Sequence, residues 1–244
     1  MTGVLVITGA SRGIGAATAR LAAEAGWKVV GSYKERREPA EAVANGIRAA
    51  GGQALAVQAD TTREEDVVRL FDTAVREFGP VTGLVNNAGI NGGPVRVADM
   101  STAELREMID TNIFGAFLCA REAVRRMDTE RGGPGGAIVN LGSVAERLGS
   151  PGERVHYAAS KGAVIAMTTG LAREVARNGI RVNCISPGLT ETEMNPADRL
   201  AKLIPNVPIG RVAQPEEIAR AILFLLSNDA SYLVGVNITV SGGR

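Results

Sequence analysis

Val4-Leu5-Val6-Ile7-Thr8-Gly9-Ala10-Ser11-Arg12-Gly13-Ile14-Gly15 runs directly into Ala16-Ala17-Thr18-Ala19-Arg20-Leu21. An apolar run of strand length breaks into a glycine-rich turn and then into helix-forming residues, so the stretch reads as strand, loop, helix. Backbone N–H groups at such a helix N-terminus point outward with the positive end of the helix dipole. A loop of this kind can hold a phosphate or pyrophosphate without a cationic side chain. Gly9, Gly13 and Gly15 have no Cβ to block that approach. Their G-x-x-x-G-x-G spacing is not the commonest dinucleotide fingerprint, and from this loop alone a tight connection without a ligand reads equally well.

The pattern outside the loop supports a ligand. Short apolar runs alternate with longer amphipathic stretches to the end of the chain, which predicts βα units and a parallel sheet covered by helices on both faces. Strands are expected near Val4–Thr8, Lys28–Tyr33, Gln53–Gln58, Gly83–Asn86, Ala137–Leu141, Arg181–Ile185 and Asn237–Val240. The fold class is therefore α/β, a doubly wound seven-stranded parallel sheet in one domain, residues 1–244. Ligands of such sheets bind along the edge formed by the strand C-termini, so the loops there should carry the chemistry.

Composition narrows the class. Lys and Arg number 27 against 26 Asp and Glu, a net charge of +1, so no global field draws nucleic acid or an anionic membrane. The local cluster Arg125, Arg126 and Arg131 reads as a solvated helix end. Cys119 and Cys184 lie in apolar segments without metal-ligand spacing, which predicts buried reduced thiols and no metal site. With no apolar run of bilayer length, the expectation is a soluble cytoplasmic protein.

Each expected strand end adds a candidate. After the second strand, Tyr33 stands where a carboxylate would meet a free ribose 2′-hydroxyl, and Lys34 follows with Arg36 and Arg37. With Arg12 nearby, this favours NADP over NAD, while Glu35 keeps NAD open. After the third strand, Thr61 or Thr62 reads as a helix N-cap, and Asp60 can also meet the adenine. Asn86-Asn87-Ala88-Gly89 lets the backbone pass close to a flat ligand while its amides hold neighbouring loops. Asn112 sits inside a long helical stretch where its amide competes for backbone bonds, so a local kink or a bound water is expected there. Ser143 ends the fifth strand, and Tyr157 and Lys161 share a helix face four residues apart, where a cation lowers a phenol's pKa. After the sixth strand, Pro187, Gly188 and Thr192 turn the chain at the same edge. Residues 190–208 have the composition of a cover over the site.

In this order the motifs resemble the short-chain dehydrogenase/reductase family, in its single-domain branch, over essentially the whole chain. Thr8-Gly-Ala-Ser-Arg-Gly-Ile-Gly15 is similar to the family's cofactor loop, Asn86-Asn-Ala-Gly89 to its post-strand motif, and Tyr157-Ala-Ala-Ser-Lys161 to its active-site motif. The resemblance implies a Rossmann fold and hydride transfer between NADP or NAD and a carbonyl or secondary alcohol. It also implies a catalytic set of Asn112, Ser143, Tyr157 and Lys161. Tyr157 would be the general acid or base, Ser143 would hydrogen-bond the substrate oxygen, and Lys161 would hold the ribose and depress the Tyr157 pKa. Asn112 would fix a water linking Lys161 to solvent. The cofactor would meet Gly9, Ser11, Arg12, Gly13, Ile14, Gly15, Tyr33, Lys34, Asp60, Thr61, Asn87, Ala88, Gly89, Pro187, Gly188 and Thr192, besides Tyr157 and Lys161. The family pattern further implies a homotetramer, paired through the helices of Asn112 and Tyr157 and around the C-terminal strand.

His156, the single histidine, adjoins Tyr157, but the implied set already supplies a proton route without imidazole. Thr190 and Ser241-Gly242-Gly243 depart from the usual pattern, at the cover and the chain end. Gly149 to Glu153 is similar to members labelled sugar or 3-oxoacyl reductases. Arg147 and Arg154 could form a basic rim for an acidic carrier, while Glu146, Glu153 and Asn195 could meet a polar small substrate. A catalytically silent dinucleotide sensor or scaffold would need the glycine loop alone, so the joint presence of Ser143, Tyr157 and Lys161 counts against it.

Overall fold

Branched apolar residues fill the strands, and the first of them, Val4-Leu5-Val6-Ile7, is buried along its whole length. The structure, a computed structural model, describes residues 2–244. Its strands are β1 (Val4–Ile7), β2 (Lys28–Tyr33), β3 (Gln53–Gln58), β4 (Val81–Asn86), β5 (Gly136–Leu141), β6 (Ile180–Pro187) and β7 (Asn237–Val240). Its helices are α1 (Gly13–Glu24), α2 (Arg37–Ala49), α3 (Glu64–Phe78), α4 (Thr102–Ile109), α5 (Gly115–Met127), α6 (Ala145–Leu148), α7 (Val155–Val175), α8 (Ala197–Leu203) and α9 (Pro215–Leu226). Each strand lies within a few residues of its expected place.

One parallel sheet has the order β3-β2-β1-β4-β5-β6-β7, with Val6 opposite Val30 and Ile7 opposite Val85. The winding direction reverses between β1 and β4, where the loops after the two strands part and leave a crevice. Two apolar cores flank the sheet. On one face Ala16, Ala19 and Ala22 of α1 lie with Val43 and Ile47 of α2 and Ile218 and Ile222 of α9. On the other, Leu70 and Phe71 of α3 lie with Leu118 of α5 and Ala172 and Val175 of α7. Small alanines on α1 let that helix approach the sheet and α9 closely.

Local chemistry differs from expectation in two places and agrees with it in a third. Neither Thr61 nor Thr62 caps α3: Arg63 occupies the N-cap without a side-chain bond, while Asp60 accepts from the Thr62 backbone N–H at 3.0 Å and its hydroxyl at 2.8 Å. Glu64, Glu65 and Asp66 then follow in the first turn, favourably placed at the helix dipole. Arg126 is not a solvated helix end. It lies 5.4 Å over the Phe71 ring and, with Arg125, pairs with the buried carboxylate of Glu122. Finally, the irregularity expected at Asn112 is a complete π-turn, Asp110–Phe114, between α4 and α5. Cys119 and Cys184 are free and buried, and burial pushes their thiols up to about 12 and about 11. Among the described residues, no helix is long and apolar enough to cross a membrane.

Candidate active site

The crevice at the sheet switch opens into a cleft of about 370 Å³ between the glycine loop, the ends of β2 and β3, and Asn87 to Ile90. A second space of about 100 Å³ continues from it toward Ser143, Tyr157 and Lys161, sharing Ile14, Asn87, Gly89, Ile90, Thr192 and Met194. The two form one groove along the strand C-termini.

Polar side chains fix the walls. Asn87 donates through Nδ2 to the carbonyls of Thr8 and Gly9 at 2.8 and 3.0 Å, and Thr8 Oγ1 accepts from the N–H groups of Asn87 and Ala88. The loop after β4 therefore holds the glycine loop, as the paired amides suggested. Asn86 points the other way, donating to the Ala116 carbonyl of α5.

The π-turn aims Asn112 at the same wall. Its Oδ1 accepts from Ile90 N–H at 2.8 Å, and its Nδ2 donates to the Ile90 carbonyl and to Ser160 Oγ of α7. Lys161 is buried, and its Nζ donates to the Leu141 carbonyl at the end of β5 at 2.8 Å. Burial pushes the ammonium down to about 8. Gly89 separates the two groups: a Cβ there would stand 3.1 Å from Asn112 Oδ1 and 3.6 Å from Lys161 Nζ.

Tyr157 lies beyond, its ring centroid 5.8 Å from Lys161 Nζ, with Ser143 lining the same space. Loss of water raises the phenol's pKa, opposed by a hydrogen bond with Ser143 and then by the charges of Arg154 and Arg199. Lys161 is not among the groups that lower it. The net direction is upward, and the opposing cations are two arginines outside the expected set.

At the adenosine end the expected cation is engaged. Lys34 pairs with Asp60 at 3.0 Å, which raises the lysine pKa, while Thr62 and Lys34 together outweigh burial and lower that of Asp60. Arg12 and Arg36 both donate at 2.6 Å to one oxygen of Glu193, which arrives from the segment after β6. Asn91 ties the same segment to the loop after β4 through the Met194 carbonyl. Glu193 and Arg199 carried no signal in the sequence, because only the fold returns that segment to the groove. Pro187, Gly188 and Thr192 line the inner space.

The sequence model described as enoyl-(acyl carrier protein) reductase matches residues 9–244. An uncharacterized oxidoreductase of Escherichia coli, YgfF, is 47% identical, with the match covering 99% of each chain. A crystal structure of a short-chain type dehydrogenase/reductase from Mycobacterium marinum superposes with a TM-score of 0.93 at 36% identity, over 99% of this chain and 94% of that one. The chain belongs to the short-chain dehydrogenase/reductase family. Another solved structure, a 3-ketoacyl-(acyl-carrier-protein) reductase from Brucella melitensis complexed with NADH, is 34% identical with a TM-score of 0.92, covering 99% of this chain and 98% of that one. As a short-chain dehydrogenase/reductase the chain is an oxidoreductase, and its groove lies at the switch point of the family's sheet.

Proposed function

We propose that the chain transfers a hydride between a nicotinamide dinucleotide, NADP in preference to NAD, and a carbonyl compound or its secondary alcohol. The observation that carries this reading is the gathering of Ser143, Tyr157 and Lys161 at the inner end of a groove whose outer end is a glycine loop. The residues present fit a dinucleotide. Gly13 has φ +52°, and a Cβ on it would stand 3.1 Å from Thr192 Cγ2, narrowing the passage between the glycine loop and the segment after β6. The dinucleotide, when bound, supplies the hydride donor or acceptor. Gly9 to Gly15 would face its pyrophosphate, Tyr33, Lys34, Asp60 and Thr61 its adenosine, and Pro187, Gly188 and Thr192 its nicotinamide half.

The protein's share is proton transfer and placement. Tyr157 gives its phenolic proton to the carbonyl oxygen during reduction and takes the hydroxyl proton during oxidation. Ser143 donates a hydrogen bond to the same oxygen. Lys161 holds the ribose hydroxyls, and Asn112 ties the π-turn to Ile90 and Ser160 and so shapes the path toward Lys161. Residues 190–208 close over the groove.

The NADP preference rests on Arg12 and Arg36, which focus two guanidinium groups on one oxyanion position beside the end of β2. Glu193 fills that position and so competes with a ribose 2′-phosphate. Glu193→Gln should lower the KM for NADPH by roughly three- to fivefold, as expected for release of exposed ion pairs. The KM for NADH should not change. A loss of NADPH affinity in the variant would show that Glu193 supports the cofactor instead.

Phe114 and Phe117 are about half exposed near the junction with α5, and Tyr232 is fully exposed near β7. These two apolar surfaces support a homotetramer. Light scattering should give four subunits for the wild type and a smaller species for Phe117→Glu; an unchanged mass would remove Phe117 from the interface. Buried reduced thiols and a nicotinamide cofactor fit the cytoplasm.

The test of the reaction is loss of reduced-nicotinamide absorbance with NADPH and NADH across aliphatic, cyclic and acidic ketones. Turnover that is faster with NADPH supports the reading. A protein that binds NADPH and reduces nothing on the panel is a binding protein.

A further inference from the structure

Arg154 is a cation that the proposed chemistry leaves without a task. It immediately precedes α7 and lies one helical turn before Tyr157. Only 9% of its surface is exposed. Nε donates to the Gly92 carbonyl at 3.2 Å, in the loop that follows Gly89. Among the described residues no carboxylate lies within ion-pairing distance of the guanidinium, and its Nη atoms hydrogen-bond to no residue. The adjacent carboxylate, Glu153, pairs instead with Arg199 of α8 at 2.8 Å.

A buried arginine is normally paired, because removing its charge from water is costly without a partner. Here burial, and next the like charge of Arg199, disfavour the protonated guanidinium. Glu153 and the Tyr157 phenol oppose that effect, but Glu153 is already paired with Arg199, so two arginines share one carboxylate. Arg154 stands three residues before Tyr157, the spacing of one helix face, and bonds the loop whose Gly89 and Ile90 line the inner space, so its free donors lie at the rim of the space that holds the phenol.

We propose that Arg154 is a substrate-binding residue and that the substrate is a carboxylate: an oxo acid or the corresponding hydroxy acid. Its carboxylate pairs with the Arg154 Nη atoms while its oxo group meets Tyr157 and Ser143. Two parallel N–H donors match two carboxylate oxygens, and Arg199, carried by the segment over the groove, adds to the same positive field. The inference rests on the carbonyl-reducing role of Tyr157 and adds the class of molecule reduced.

The test compares acetoacetate and levulinate with their methyl esters as substrates of the wild type, Arg154→Lys and Arg154→Met, in the presence of NADPH. The wild type should prefer at least one acid over its ester in kcat/KM by roughly tenfold to a hundredfold, the worth of a charge-assisted contact. Arg154→Met should bring that ratio to about one, with Arg154→Lys between them. A purely structural arginine would lower acid and ester alike, and that result overturns the proposal, as does a wild type that favours the esters. Calorimetry separates this from failure of the hydride-transfer reading. If no ketone is reduced, cyclohexanecarboxylate should still bind the NADP-loaded wild type, bind Arg154→Met at least tenfold more weakly, and outcompete cyclohexanecarboxamide. Equal binding of acid and amide, or binding undiminished in Arg154→Met, removes the carboxylate site whatever the activity.

Discussion

Tyr157→Phe is expected to lower kcat for ketone reduction by about a thousandfold, within the range typical of losing a positioned general acid. The dissociation constant for NADPH should stay within about twofold, because phenylalanine keeps the ring and deletes only the hydroxyl. Steady-state turnover and a fluorescence titration of NADPH separate the two quantities. A variant that keeps a tenth or more of the rate would assign the proton to another group. The pH dependence carries a sign as well. Burial holds the phenol protonated above its ordinary range in the cofactor-free protein. Reduction, which uses the phenol, should therefore run evenly through neutral pH and fall in alkali, whereas oxidation, which uses the phenolate, should rise with pH.

Lys161→Met is the second large effect, and it acts in opposite directions on rate and stability. Turnover should fall at least a hundredfold, since the ammonium that would hold the ribose is gone. Stability at pH 7 should rise. The buried ammonium has its pKa pushed down to about 8 from 10.5. A group whose charged form is disfavoured by folding penalises the native state fully below its folded pKa, and that penalty fades as pH rises through the window from 8 to 10.5. At about 1.4 kcal/mol per unit, the penalty is roughly 3 kcal/mol. The hydrogen bond to the Leu141 carbonyl, lost in the variant, offsets about 1 kcal/mol of the gain. Denaturant unfolding should thus show the methionine variant about 2 kcal/mol more stable at neutral pH, with the advantage shrinking above pH 8. A less stable variant at pH 7 would mean that the contacts of the ammonium outweigh its desolvation, so that folding does not disfavour the charged form.

Short apolar runs bounded by polar and glycine residues mark their own ends, and β2, β3 and β7 begin and end where the sequence places them, although β3 and β7 are partly exposed edge strands. The glycine loop, the paired amides and the Tyr157 and Lys161 spacing were legible for a related reason: each is a local arrangement of backbone or of one helix face. Legibility failed where a group's environment is assembled from distant segments. Lys34 reads as a free cation until β3 brings Asp60 alongside it. Nothing near Arg12 or Arg36 announces Glu193, which lies 181 and 157 positions away. Arg154 reads as a rim residue because spacing does not say that the Gly92 loop will fold over it and leave its Nη donors without a hydrogen-bond partner among the described residues. Nor does spacing show the upward shift of Tyr157, since desolvation depends on every segment around the phenol.

The π-turn at Asp110–Phe114 makes the chain unusually sensitive to length at one point. Such a turn holds one residue more than the α-helix it interrupts, and the N–H of Gly115 reaches back five residues to the Asp110 carbonyl. Removing a single residue there would let α4 and α5 fuse into one regular helix. Because the turn already absorbs the extra residue, α4 and α5 would keep their mutual phase, while the side chains inside the turn would shift around the axis. The Asn112 amide would swing off Ile90 while the helix itself lost nothing. The extra residue is a local bulge that sets the Asn112 side chain toward the groove at the expense of ideal hydrogen bonding, and a chain shortened here would be better folded locally and wrongly aimed.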